Sequence, residues 1–162
     1  MREKAGKNKI LIVIIICLCA VIIAGVICFM KLKGGSDSAF KPDLDPNAKT
    51  QTADDTGEKP TGIRIPGYPT ITIEADKKDV QMNLMNPEGN PCYFTFTLVL
   101  KDTDETIYQS KMVEPGKAIT QITLSKELSA GEYPAILKIS TAALDDGRAM
   151  NGANVETVLK VQ

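Results

Sequence analysis

The sequence predicts an all-β fold: an antiparallel β-sandwich of about seven short strands, preceded by one transmembrane α-helix and a disordered stalk. Three observations predict it. The run from Ile10 to Met30, ILIVIIICLCAVIIAGVICFM, holds no charge, no proline and no strongly polar side chain. Residues 34–61 are rich in Gly, Ser, Asp, Pro, Thr and Lys, with a single aromatic, Phe40. From Gly62 onward, apolar and polar residues alternate in short runs, and turn residues separate the runs at intervals of about ten.

The apolar run would form a helix about 30 Å long, which matches the hydrocarbon thickness of a bilayer. A secretory signal has an apolar stretch of only about 7–15 residues, followed by a small-residue cleavage site. Here Lys31 and Lys33 follow the run at once, and the nearest cleavage-like triplet, Ser36-Asp37-Ser38, lies beyond them. A lipid-attachment signal needs a small pair before its cysteine. Gly25, Val26 and Ile27 precede Cys28, and large aliphatics stand before Cys17 and Cys19, so none fits. The expectation is a retained anchor. Arg2, Lys4, Lys7 and Lys9 stand against Glu3 in the tail, and a basic flank stays in the cytoplasm. The expected organisation is therefore a basic cytoplasmic tail (1–9), a transmembrane helix (10–30), a flexible extracellular stalk (31–61) and an extracellular domain (62–162).

Composition narrows the function further. A net charge of −1 hides a basic tail and an acidic exterior. With no basic stripe and few aromatics, nucleic-acid binding has no electrostatic footing. The chain has no histidine, which removes Ser-His-Asp and Cys-His nucleophile activation and His-ligated zinc. Only Cys92 of the four cysteines lies outside the span, so the exterior cannot hold an internal disulfide. No cofactor, no metal and no enzymatic activity are expected.

The strands are expected at 70–74, 79–85, 92–100, 106–111, 118–124, 132–140 and 154–161. Ile71 and Ile73 share one face of the first, and Val80, Met82 and Leu84 one face of the second. Phe94, Phe96, Leu98 and Leu100 line the third. Ile122 and Leu124 share a face, as do Tyr133, Ala135, Leu137 and Ile139, and Val155, Thr157, Leu159 and Val161. Turns are marked by Asn86-Pro87-Glu88-Gly89-Asn90-Pro91, Asp102-Thr103-Asp104, Pro115-Gly116, Ala130-Gly131, Asp146-Gly147 and Asn151-Gly152.

Leu128, Gly131 and Tyr133, in the pattern Leu-x-x-Gly-x-Tyr directly before the sixth strand, resemble the tyrosine corner of immunoglobulin-like sandwiches. The NPEGNP turn before an aromatic strand, then EPGKAI and LSAGEY, is similar to bacterial extracellular Ig-like modules. The segment Gly62 to Tyr68, GIRIPGY, resembles the opening of the ectodomain in single-pass surface proteins of Gram-positive bacteria. The resemblance covers residues 62–162 and implies an Ig-like fold at the cell surface. It implies no chemistry, and the Cys–Trp–Cys pattern of antibody domains is absent.

Several candidate sites have a plainer reading beside the functional one. Asp102-Thr103-Asp104-Glu105 starts like a calcium loop, but the slots for its glycine and its last Glu hold Ile107 and Val113, so a hairpin turn is expected. Asp145, Asp146, Arg148 and Asn151 occupy a long connection between the last two strands, the candidate binding loop, with simple turn chemistry as the alternative. Cys92 shares the parity of Phe94 and should point inward as a small hydrophobe. Ser110-Lys111 and Ser125-Lys126 are neighbours on strands and so face opposite ways, which prevents either from acting alone as a dyad. Pro66-Gly67-Tyr68-Pro69 is expected to be an ordered lead-in packed on the domain, with a recognition segment as the alternative. In the span, Cys17, Ala20, Ala24 and Cys28 form a stripe of small residues, an expected helix-packing face for a homodimer or another span.

The function expected from these features is a non-enzymatic, membrane-tethered extracellular module that binds or scaffolds a protein partner near the membrane. The alternative is an accessory subunit of a membrane-embedded secretion, conjugation or surface-assembly complex, with the span as the contact surface.

Overall fold

The computed structural model describes residues 40–51 and 62–162. The tail, the apolar run and the span face Cys17, Ala20, Ala24 and Cys28 lie outside these residues. The described part is all-β, with eight strands in two sheets. Among the described residues no helix is long and apolar enough to cross a membrane.

The strands are β1 (Ala48–Thr50), β2 (Thr70–Ile73), β3 (Asp79–Asn86), β4 (Cys92–Leu100), β5 (Glu105–Gln109), β6 (Lys117–Thr123), β7 (Gly131–Ala143) and β8 (Ala149–Val161). One sheet has the order β1-β6-β3, and the other β2-β8-β7-β4-β5. The alternation read from the sequence sets which residues face inward. Val80, Met82 and Leu84 of β3 meet Phe94, Phe96 and Leu98 of β4, Leu137 and Ile139 of β7, and Leu159 and Val161 of β8 in one core. Each such side chain stabilises by roughly 1.5–3 kcal/mol when fully buried. Phe94 and Phe96 add an edge-to-face pair with ring centres 5.9 Å apart.

Three expectations change. First, the pairing is not wholly antiparallel: β2 runs parallel to β8, with Ile71 opposite Leu159 and Ile73 opposite Val161. Alternation fixes a strand's face but not its neighbour or its direction. Second, residues 40–51, expected within the 31–61 stalk, lie on the two-sheet body. β1 pairs with β6, and Leu44 bridges Met112. The segment is polar because backbone hydrogen bonds, rather than buried apolar surface, attach it. Asp45 N–H donates to Met112 O at 2.8 Å, and Met112 N–H donates to Asp43 O at 3.0 Å. Third, β7 and β8 are longer than expected, and Asn151 lies within β8. A bulge between the pairs Ile139–Ala153 and Thr141–Met150 absorbs Asn151-Gly152. A Cβ on Gly152 would lie 2.2 Å from Ile139 O, so glycine is what allows the two backbones to pair there.

Candidate functional site

Register places several connections at one end of the molecule. Cys92, the first residue of β4, pairs with Ala143, the last of β7. The β3–β4 turn and the β7–β8 turn therefore lie side by side. Val113, antiparallel to Phe94, brings the β5–β6 connection to the same end.

The β7–β8 turn, residues 144–148, holds three of the four residues expected as a binding loop. Ala143 N–H donates to Arg148 O at 2.9 Å, which closes the turn. The Asp146 carboxylate accepts from Arg148 N–H at 3.0 Å and meets the Arg148 guanidinium at 3.2 Å. The backbone N–H of Arg148, first, and the nearby guanidinium hold the Asp146 carboxyl below its usual value of 3.8. Gly147 takes φ +71°, and the ring of Phe40 lies so close that a Cβ there would approach it to 2.2 Å. Phe40 also packs on Tyr93, with ring centres 6.1 Å apart. The tip exposes Leu144, 42% accessible, beside exposed Asp145, Asp146 and Arg148. This tip of one aliphatic and three charged side chains offers no nucleophile–base pair.

Beneath the neighbouring turns lies a polar network whose residues read in sequence only as turn formers. Asn86 is fully buried. Its Nδ2 donates to Cys92 O and to Val113 O, both at 2.9 Å. Its Oδ1 accepts from Asn90 Nδ2 at 2.8 Å. Asn90 Nδ2 also donates to Arg64 O at 2.9 Å, and Arg64 N–H donates to Asn90 Oδ1 at 2.8 Å. Gly116 N–H donates to Asn86 O at 2.8 Å. Two amides thus tie the lead-in, the β3–β4 turn and the β5–β6 connection together, with the donors and the side-chain acceptor of Asn86 all used. The available signal was the pair of asparagines four apart around Pro-Glu-Gly.

The remaining candidates are each engaged by the fold. At the opposite end, Tyr133 Oη donates to Ser129 O at 2.9 Å. Leu128 is buried, and a Cβ added at Gly131 would lie 3.5 Å from the Tyr133 ring. Tyr68 is buried, and its hydroxyl accepts from Met85 N–H at 3.1 Å, so the lead-in covers part of the free edge of β3. Burial raises the Tyr68 pKa, against the opposing bond from Met85. Cys92 is a buried free thiol, and burial pushes its pKa up. Asp102–Asp104 form a turn in which Asp104 takes φ 51°, and Glu105 pairs with Lys126. Ser110 Oγ accepts from Phe96 N–H at 2.9 Å and donates to Lys111 O at 2.7 Å, while Lys111 Nζ is bound to Asp43 at 2.9 Å. The hydroxyl and the ammonium of this Ser–Lys pair are thus each engaged by other partners. Among the described residues no group of three His, Cys, Asp or Glu is placed to hold a metal ion.

No protein-family model, curated protein or solved structure matches the chain.

Proposed function

We propose that the protein is a non-enzymatic, single-pass membrane protein whose extracellular immunoglobulin-like domain binds or scaffolds a protein partner just outside the membrane. The observation that carries the reading is the chargeless run Ile10–Met30 between a basic tail and an acidic exterior. Strand order supports the immunoglobulin-like part. β3 and β6 stand where strands B and E of that fold stand, in one sheet, and β4, β7 and β8 where C, F and G stand, in the other. The hydroxyl bond from Tyr133 to Ser129 O is the bond a tyrosine corner makes. Binding through the β7–β8 tip and its neighbours fits a fold that commonly presents ligands at its loop ends. Placement at a bacterial surface of the Gram-positive type belongs to the same reading.

The test uses the full chain in intact cells. Alkaline extraction should leave it in the membrane fraction, and externally added protease should remove the C-terminal domain while sparing the tail. A chain released by alkali, or a domain protected until lysis, sinks the reading. The small-residue face Cys17, Ala20, Ala24 and Cys28 favours the second reading, an accessory subunit held by its span. Exchanging the span for an unrelated Leu-rich one separates the two. Copurifying partners should survive the exchange if the domain binds them, and vanish if the span does.

A further inference from the structure

We propose that residues 40–51 are a releasable strap that sets how far the domain stands from its anchor. The reach part of this proposal rests on the membrane reading above; the release part rests on geometry alone. The strap is held by contacts of a different kind from those of the core. No residue of 40–51 belongs to the buried apolar core, only Ala48 packs partly against it, and Leu44 remains 39% exposed. Attachment comes from the three-residue β1–β6 pairing and the Leu44–Met112 bridge. It also comes from Gln51 N–H to Gly116 O at 3.1 Å and from the Asp45 carboxylate. That carboxylate accepts from Asn47 N–H at 2.9 Å and Lys111 N–H at 3.0 Å. Phe40 closes the far end on Tyr93 and Gly147. A segment with few buried apolar contacts, seated on a body that keeps its own core, opens at lower free energy than the body unfolds.

The position of the strap gives its opening a consequence. Docked, it leaves the chain between Met30 and Phe40 as the link, which spans at most about 35 Å whatever its conformation. Undocked, it transfers the link's end to Gly62, and the limit rises to about 110 Å. Opening also withdraws Phe40 from Tyr93 and Gly147, beside the exposed tip. Reach and the surroundings of the candidate binding end are thereby coupled to one element.

Hydrogen exchange on the full chain tests release. The amides of Asp45, Gln51 and Met112, which bond between strap and body, should exchange at least tenfold faster than those of Phe96, Leu98, Leu137 and Ile139. Asp45→Ala removes two acceptor bonds and should speed the first set by roughly tenfold more, with the second unchanged. Phe40→Ala provides a second variant that leaves the strap's backbone pairing in place and should act in the same direction. Thr50 and Lys117 are opposite each other in the β1–β6 register. A Thr50→Cys/Lys117→Cys disulfide should return the Asp45→Ala rates to the wild-type values or below. Strap amides that exchange only with the core overturn the proposal, as do strap rates indifferent to both variants. For reach, the full chain labelled at its C-terminus is placed in vesicles carrying a headgroup energy acceptor. Transfer should fall in Asp45→Ala and recover in the disulfide-closed form. Faster exchange with unchanged transfer overturns the link between release and reach. A chain that stays out of the vesicles sinks the membrane reading instead, and the exchange rates then decide release alone.

Discussion

At the scale of single residues, the molecule depends on side chains that look ordinary in sequence. Asn86 is the clearest. Its amide satisfies two backbone carbonyls and one neighbouring amide where water does not reach. Asn86→Ala should lower stability by about 3 kcal/mol, because it strands several buried polar groups at once. Denaturant midpoints at constant slope would check this, and a change under about 0.5 kcal/mol would mean that the network is replaceable. Asp146 gives a pH prediction with a definite sign. Its folded carboxyl titrates below its usual 3.8, so below that value the unfolded chain binds more protons than the folded one. Its contribution is complete above the usual carboxylate range and is lost as pH falls through the folded value. Carboxyl NMR should show Asp146 titrating below 3.8, and Arg148→Ala should move it up only in part, since the larger cause is the Arg148 backbone N–H. Neither residue's role was legible in sequence. Asn and Asp beside Gly signal a turn, and which distant carbonyls an amide meets is settled by packing.

At the scale of elements, alternation located most strands to within a residue or two, because a half-buried strand writes its inner face into every second position. It located β3, β4 and β6 from Val80, Phe94 and Ile122 and their same-face neighbours. It stopped short on β7 and β8, where Thr141, Ala142, Ala149, Asn151 and Gly152 are small or polar and read as loop. Pairing continues there because Gly152 lets the chains approach. Gly152→Ala should therefore cost roughly 2 kcal/mol, since a backbone carbonyl blocks the added methyl. Gly116→Ala, at φ +76° but with its nearest neighbours at 3.7–3.8 Å, should cost closer to 1 kcal/mol. Thermal melts of the two variants would check the order, and equal losses would refute the bulge account. β1 escaped detection for the opposite reason. Its three residues gain their place from hydrogen bonds to β6, and such bonds leave no hydrophobic period.

At the scale of the whole molecule, topology and chemistry meet at Cys92. It is the one thiol among the described residues, and it is buried where β4 begins. On the proposed topology, a membrane-impermeant maleimide applied to intact cells should leave Cys92 unlabelled while the domain is folded. It should label Cys92 once the domain is unfolded by denaturant outside the membrane. Prompt labelling of the folded chain would contradict the burial, and failure to label the unfolded domain from outside would contradict the orientation. The expected protection follows from two sheets closing over one core, since the thiol becomes accessible only when strands separate, and burial also raises its pKa.

The sequence by itself determined the all-β character of the described part, the inward faces, the absence of histidine chemistry and the expectation of an anchor. Each of these follows from residue type or from a period of two along the chain. Only the tertiary structure decided that β2 lies parallel to β8, that residues 40–51 belong on the body, and that Asn86 and Asn90 join three connections. The first two arise where backbone donors and acceptors of segments far apart in sequence meet, and the third where two side-chain amides reach such backbone groups. A backbone hydrogen bond is nearly indifferent to which side chain stands above it.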